Sequence, residues 1–399
     1  MRCLLLLLAC LMSGCVPARF DAIGPSDAAY TADHPLFAEY CAVSQIKKSP
    51  GFGADIRGNI GGHAVFYLQG ACKDPGAGYP VLRPCADGGA GLSMNEHFYN
   101  AKWVATPGDA FFFDGGLRPG EPVTAEAYRG VQLRARALGI YDGVRFHDVV
   151  FEGMPAGWAR EDWKYEMSVG TDYAIAVGRA RHCVRVPVDR AAMDRMIDFL
   201  NAENAPYRAG KVFRWDLFRD NCIHLAHNAL AAAGLWLRWP TDRSFLVSVL
   251  DFPVPRNEFI NLTPWTNDGV PADPGAAFDD AATRRSLLMT GELPARPGAL
   301  VLSRDRHEPN ELYEAGLSLI FYDEPMFGHY QSDSDRIFAS ARYSDEVANR
   351  AYFAAIARAR LAERRPLAAW LAMPRYGAEA GAFRAVYERY YALMARLGA

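Results

Sequence analysis

The sequence predicts an α+β protein. Short apolar runs of strand length come before and between longer runs of helical periodicity, and Gly- and Pro-rich turns separate them. The chain has 399 residues, half of them hydrophobic and 22% charged. That is enough apolar material for a large core, and enough length for two or three domains.

The elements follow in chain order. Met1-Arg2 carry positive charge, Leu4 to Met12 is an apolar run, and Ser13-Gly14-Cys15 closes it. The run is too short to span a bilayer and has the layout of a secretory leader. Residues 1–14 are therefore expected to be a signal peptide and 15–24 a tether. His63 to Leu68, behind the turn Gly58-Asn59-Ile60-Gly61-Gly62, reads as a buried strand, and Gly70 to Gly91 as a loop. Phe111 to Phe113 and Val144 to Phe151 read as further strands, with Thr124 to Leu138 helical between them. Pro107-Gly108-Asp109 is read as the turn before Phe111. Thr171 to Val177 and Cys183 to Val188 read as two more strands, joined by a basic turn at Gly178 to Arg181. Asp189 caps a helix with Met193, Met196, Ile197 and Leu200 at helical spacing. Asn221 caps the next, which carries Leu225, Ala226, Ala229, Leu230 and Ala233 and stops at Gly234. These elements make an α+β domain over 25–262. The Pro/Gly/Asp-rich stretch 263–276 reads as a linker, and 277–399 as mainly helical, with helices over 344–361 and 377–396.

The formal charge is -3 and no basic stripe is present, so nothing favours a nucleic-acid partner. Of the eight cysteines, Cys3, Cys10 and Cys15 fall in or at the end of the leader. Cys41, Cys72, Cys85, Cys183 and Cys222 remain, an odd number. In an oxidising compartment four can pair and one stays free. Cys222 is the choice for the free thiol, and Cys72 with Cys85 is the first pairing to test.

Cys222 carries the chemistry. In Asp220-Asn221-Cys222-Ile223-His224 the thiol follows a helix cap at once, so it sits where unsatisfied N–H groups favour a thiolate and can hold an oxyanion. A downward pKa shift of roughly two units from about 8.5 would make most of it reactive at neutral pH. A nucleophilic thiol needs a base and a group to orient that base. His224 and His227 lie about 160° and 140° from Cys222 around the helix and are poorly placed. His63, at a strand start behind two glycines, is the better candidate. Neither histidine of the Cys222 helix has the acidic partner of a His-Glu-x-x-His site, so no metal and no cofactor is expected. The G-x-S-x-G elbow of serine hydrolases is absent.

With GGHAVFYL at 61–68 and DNCIHLAHNAL at 220–230 on the page, the chain resembles the circularly permuted papain-like fold of the NlpC superfamily, including its lecithin retinol acyltransferase-like branch. There too the histidine strand precedes the cysteine helix. It is similar, more closely, to bacterial envelope lipoproteins carrying a permuted domain of unknown function. The likeness spans about residues 50–240 and rests on two short motifs in order. It implies a permuted papain-like thiol hydrolase domain, with an antiparallel sheet and a helix bearing the cysteine. It also implies Cys222 as nucleophile, His63 as base and Asn221 as the cap of an oxyanion-binding helix start. The third, polar position is open among Gln69, Asn95, His97 and Asp172. Asp172, polar within an apolar stretch, ranks first. Leu11-Met12-Ser13-Gly14-Cys15 resembles a bacterial lipobox, which makes Cys15 the acylated first residue of a membrane-anchored protein.

Two functions are expected from this. The first is a cysteine-dependent amide or ester hydrolase, or an acyltransferase, lipid-anchored in the bacterial envelope on the periplasmic face of the outer membrane. Its substrates would be peptidoglycan stem peptides or lipoprotein acyl groups. The second is a non-catalytic envelope module that binds peptidoglycan or a partner protein through the C-terminal aromatics Tyr352, Phe353, Trp370 and Tyr387 to Tyr391.

Overall fold

The computed structural model describes residues 24–44, 62–118, 120–173, 179–251, 254–267, 269–304, 310–312 and 329–399. The leader, Cys15 and the tether up to residue 23 lie outside the described residues, as do 58–61 and 174–178. The protein is α+β, built on a six-stranded antiparallel sheet with strand order β4-β3-β2-β1-β5-β6.

In chain order the elements are α1 (Gly24–Asp33), β1 (Phe37–Val43), β2 (His63–Lys73), β3 (Leu82–Ser93), β4 (Val104–Pro107), α2 (Ala110–Asp114), α3 (Ala125–Ala137), α4 (Arg160–Asp172), β5 (Arg181–Pro187), α5 (Arg190–Arg208), α6 (Cys222–Ala232), α7 (Phe245–Asp251) and α8 (Pro255–Asn267). There follow α9 (Pro274–Asp279), α10 (Ala281–Met289), β6 (Leu300–Arg304), α11 (Tyr330–Phe338), α12 (Ala341–Ser344), α13 (Glu346–Ala362), α14 (Leu367–Leu371), α15 (Pro374–Gly377) and α16 (Ala380–Gly398). Among the described residues no helix is long and apolar enough to cross a membrane.

Several local expectations are corrected. The 70–91 loop is mostly strand: β2 runs on to Lys73, and β3 returns antiparallel to it around a register shift between Gln69 and Ala71. Glycine belongs in this strand. A Cβ on Gly91 would fall 2.0 Å from the ring of Phe112, so the bare backbone makes room for that ring. Phe111 to Phe113 is helix, because the Asp109 side chain accepts from the Ala110 N–H and Gly115 closes the turn at φ +64°. Val144 to Phe151 forms a single bridge, Phe146 to Phe98, and a 3₁₀ turn at Asp148–Phe151. Thr171 and Asp172 close helix α4 rather than opening a strand. Thr263 to Asn267 is the end of α8, which tolerates Pro264 within it. The sheet takes β6 from beyond residue 276, against Arg181 to Arg185 of β5.

Paired residues of antiparallel strands share a face. One face carries His63, Val65 and Tyr67 of β2 with Ser93 and Gly91 of β3 and Cys41 and Cys183 of β1 and β5. Helix α2 packs here through Phe112 and Phe113 on Tyr67. The other face carries Tyr40, Phe66 and Val184 and meets α8, where the Tyr40 hydroxyl donates to Pro255 O at 2.8 Å. A second, helical core gathers Phe278, Leu287, Phe353, Trp370, Phe383, Tyr387, Tyr390 and Tyr391. Phe353 of α13, Trp370 of α14 and Tyr387, Tyr390 and Tyr391 of α16 are thus core side chains, while Tyr352 is half-buried beside them.

Candidate active site

The loop before α6 is fixed at both ends. Asp216 and Asp220 exchange backbone hydrogen bonds at 3.0 Å. Asp220 pairs with the buried Lys102 ammonium at 2.7 Å. Asn221 then accepts from the N–H groups of Ile223 at 2.9 Å and His224 at 3.3 Å, and its amide donates to Leu217 O at 2.6 Å. His224 Nδ1 closes the cap from the other side, 2.9 Å from Asn221 Oδ1 and 3.5 Å from the Asn221 N–H. Its Nδ1 is therefore occupied at the start of the helix.

Cys222, 9% exposed, is the free cysteine among the described residues. Cys41 is joined to Cys183 across β1 and β5, and Cys72 to Cys85 across the β2–β3 turn. The N–H groups of Ala64, Cys222 and Ile223 face the Cys222 sulfur, so the thiol abuts the residue next to His63. This contact is available because β3 pairs with β2 only from Phe66 onward. Gly62, at φ +77°, has no room for a side chain, since a Cβ would fall 2.2 Å from Val43 O. It brings the start of β2 tightly against β1.

His63 is 7% exposed and its Nε2 lies 2.9 Å from the Ser93 hydroxyl. Ser93 donates to Asp172 Oδ1 at 2.8 Å, Asn95 donates to the same oxygen at 3.1 Å, and Tyr141 donates to Oδ2 at 2.8 Å. While Asp172 is ionised, the direction of these bonds sets the tautomer. An ionised carboxylate only accepts, so the single Ser93 proton goes to Asp172 and Ser93 must accept from His63. His63 then carries its proton on Nε2 and leaves Nδ1 as the lone pair.

Of the four candidates for the orienting position, Asp172 and Asn95 join this line, with Asp172 one hydroxyl removed from the imidazole. His97 binds Ser168 at 2.7 Å and Gln69 accepts from Tyr67 at 2.8 Å, both away from His63. No local signal marks Ser93, because the Gly- and Pro-rich sequence of its strand has the look of a loop, and none marks Arg179, which stands in a basic stretch with the composition of a turn. Arg179 is 1% exposed, donates through Nε to Ser44 O at 3.0 Å, and places a positive charge near both His63 and Cys222.

Burial decides the protonation states. It pushes the Cys222 thiol up to about 11, against the three N–H groups and Arg179, which act the other way. The expected downward shift is therefore overturned: one helix start does not offset removal from water. Burial also drives His63 down to about 3, with Arg179 adding to the effect. The resting pair is neutral thiol and neutral imidazole. Asp172 rises to about 7, because burial outweighs its bonds from Ser93, Tyr141 and Asn95.

On the far side of α6 a second buried histidine contrasts with this arrangement. His227 has Nδ1 2.5 Å from Glu258 Oε1 and Nε2 2.5 Å from Leu237 O, and it stacks on Trp239 at 3.8 Å. Among the described residues the only group of metal-ligand type is Glu39, Cys41 and Cys183, whose sulfurs are bonded to each other. No protein-family model matches this chain, and no curated protein or solved structure is similar to it.

Proposed function

We propose that this protein is a papain-like thiol hydrolase or acyltransferase, anchored through Cys15 to the periplasmic face of the bacterial outer membrane. The observation that carries the reading is the line His63–Ser93–Asp172, next in the strand to Ala64, whose N–H meets the sulfur of Cys222, the free thiol among the described residues. It holds the Nε2–H tautomer and leaves Nδ1 as the base for Cys222.

Attack couples the two proton movements. The Cys222 sulfur bonds to an amide or ester carbonyl carbon as its proton passes to His63 Nδ1, so no free thiolate accumulates. The carbonyl oxygen becomes an oxyanion, stabilised by the Cys222 backbone N–H, the one in the first turn of α6 that the Asn221 cap leaves over. Collapse breaks the C–N or C–O bond, His63 returns its proton to the leaving group, and an acyl-thioester remains on Cys222. Water, or an amine or hydroxyl acceptor, then loses a proton to His63 and attacks the thioester; the C–S bond breaks, the acyl group leaves on the acceptor, and His63 returns the proton to the Cys222 sulfur. Peptidoglycan stem peptides and lipoprotein acyl groups are the substrates that fit the proposed location.

The test is acylation of the full chain by an activated ester, followed by intact mass. A thioester adduct on Cys222 that is absent in Cys222→Ala and slowed roughly 10³-fold or more in His63→Ala supports the reading. An adduct formed equally well without His63 sinks it.

A further inference from the structure

Among the described residues twelve large apolar side chains are exposed, and six of them, Leu217, Leu237, Phe245, Leu246, Val247 and Trp265, gather along helix α6. Leu217 belongs to the loop that caps the helix, and its carbonyl accepts the Asn221 amide at 2.6 Å. Phe218 beside it meets the ring of Phe245 at 5.3 Å, which sets α7 against that loop. The first turn of α7, Phe245 to Val247, is exposed at all three positions, Leu246 to 79%. Three successive residues cover about 200° of a helix, so this turn projects from the surface instead of laying one apolar face on a core. Farther along α6, Leu237, 73% exposed, lies beside His227, which binds its carbonyl, and Trp236 meets the exposed Trp265 edge-on at 4.7 Å. The half-buried Trp239 joins the two groups, since its ring touches both His224 and His227.

The charge around this face has the opposite sign to that of the chain. Residues 208–243 carry six cations against three carboxylates, whereas the whole chain has a formal charge of -3. Asp216 and Asp220 are already paired, with Arg219 and Lys102. Arg214 and Arg238 are exposed and form no ion pair among the described residues. Arg243 acts on His224 at the start of α6. A projecting apolar turn, indole rings and surplus guanidinium groups together match a phospholipid surface, which offers hydrocarbon to Leu246, its headgroup level to the indoles and phosphates to the arginines. A second copy of the chain fits less well, because a two-fold contact sets this basic face against itself.

We propose that this face docks on an anionic phospholipid surface, with Leu246 and its neighbours at the acyl-chain boundary, Trp236 and Trp265 at headgroup level, and Arg214 and Arg238 on lipid phosphates. It is a contact in addition to any anchor at Cys15, it turns the start of α6 toward the lipid, and it does not depend on the thiol chemistry.

Backbone hydrogen exchange of the full chain, read at 217–219 and 244–248 with and without vesicles, tests it, because a local readout is independent of attachment through Cys15. Phosphatidylglycerol vesicles should slow exchange there about tenfold, and phosphatidylcholine vesicles much less. Leu246→Asp, at an exposed position, should abolish the slowing with melting unchanged. Arg238→Gln should raise the lipid concentration needed for half-maximal slowing about fivefold, the effect of one basic residue near an anionic surface. Cys222→Ala should behave as the unaltered chain does. Exchange untouched by phosphatidylglycerol, or slowed equally by both lipids or equally in Leu246→Asp, would overturn the proposal. Slowing that appears without lipid as the protein concentration rises would overturn it too, since a second copy would then be the occupant.

Discussion

Two buried histidines, His63 on the strand that meets the Cys222 sulfur and His227 on the Cys222 helix itself, are each tied to a carboxylate, one through Ser93 and the other directly, but they differ in what they leave over. His227 spends both nitrogens, one on Glu258 and one on the Leu237 carbonyl, and its ring lies flat on Trp239. Since a carbonyl only accepts, Nε2 must donate, and neither nitrogen is left to take a proton from a substrate. His63 spends one nitrogen on Ser93, and Ser93 passes the bond on to Asp172. A histidine beside a carboxylate is a structural brace when both nitrogens are bound. It becomes a candidate base when one is spare.

Replacing each ring gives the largest contrast. His63→Ala should lower turnover by roughly 10³–10⁴-fold, the loss expected when a general base of a catalytic pair is removed. Thermal unfolding should change much less than activity. His227→Ala should act the other way round. It strands Glu258 in the core, at a cost of about 3–5 kcal/mol read by denaturant unfolding. In protein that remains folded, the acylation rate per folded molecule should stay close to that of the unaltered chain. A rate loss in His227→Ala equal to that in His63→Ala would erase the distinction.

The same contrast explains what was legible in the sequence. Cys222 at a capped helix start, His63 at a strand start and the free thiol among five cysteines are local signals. Each needs only a few neighbours, Asn221 or Gly62, to be seen. The α+β class follows from periodicity in the same way. Ser93 and Arg179 were not legible, because their roles depend on pairing between distant segments. The glycines at 88, 89 and 91 made β3 look like a loop, although Gly91 is there to accept Phe112. Phe111 to Phe113 looked like a strand because three aromatics carry no helical period, and the cap at Asp109 decided otherwise. The ionisation states were the least legible: a helix start argues for a depressed thiol pKa, and only the packing shows that burial reverses it.

Smaller effects come from the line behind His63. Ser93→Ala removes the hydroxyl between imidazole and carboxylate and should cost about 10–100-fold in turnover, with the KM little changed. Asp172 supplies a pH dependence. Its carboxyl is raised to about 7 by burial. Below that value protonated Asp172 no longer forces Ser93 to accept from His63, and the tautomer with a free Nδ1 is lost. Turnover should fall as pH drops through about 7, and Asp172→Asn should flatten that limb while keeping an acceptor oxygen for Ser93.

Stability should show a separate acid dependence. His63 and His224 are pushed down to about 3, and His34 and His97 to about 4, all chiefly by burial. Their folded pKa values lie below the unfolded value near 6.5, so the unfolded chain binds protons that the native state refuses. The stability they contribute is present above about 6.5 and is lost as pH falls toward 3. His97→Gln, whose ring lies off the line to Asp172, should reduce the slope of unfolding free energy against pH in that window. An unchanged slope would mean that His97 is not kept neutral by burial.

The finest test separates a neutral resting pair from a preformed ion pair. With the thiol raised to about 11 and the imidazole near 3, the thiolate fraction at neutral pH is small. Alkylation of Cys222 by iodoacetamide should therefore be slow at pH 7 and rise about tenfold per pH unit toward 11, since only the thiolate reacts. An ion pair would give instead a plateau across neutral pH, because the thiolate would already be formed. His63→Ala discriminates further. It removes a neutral neighbour and should leave the alkylation profile nearly unshifted, whereas in an ion pair it would move the profile upward by several units. Loss of acylation with an unshifted alkylation profile is the combination that a coupled proton transfer predicts.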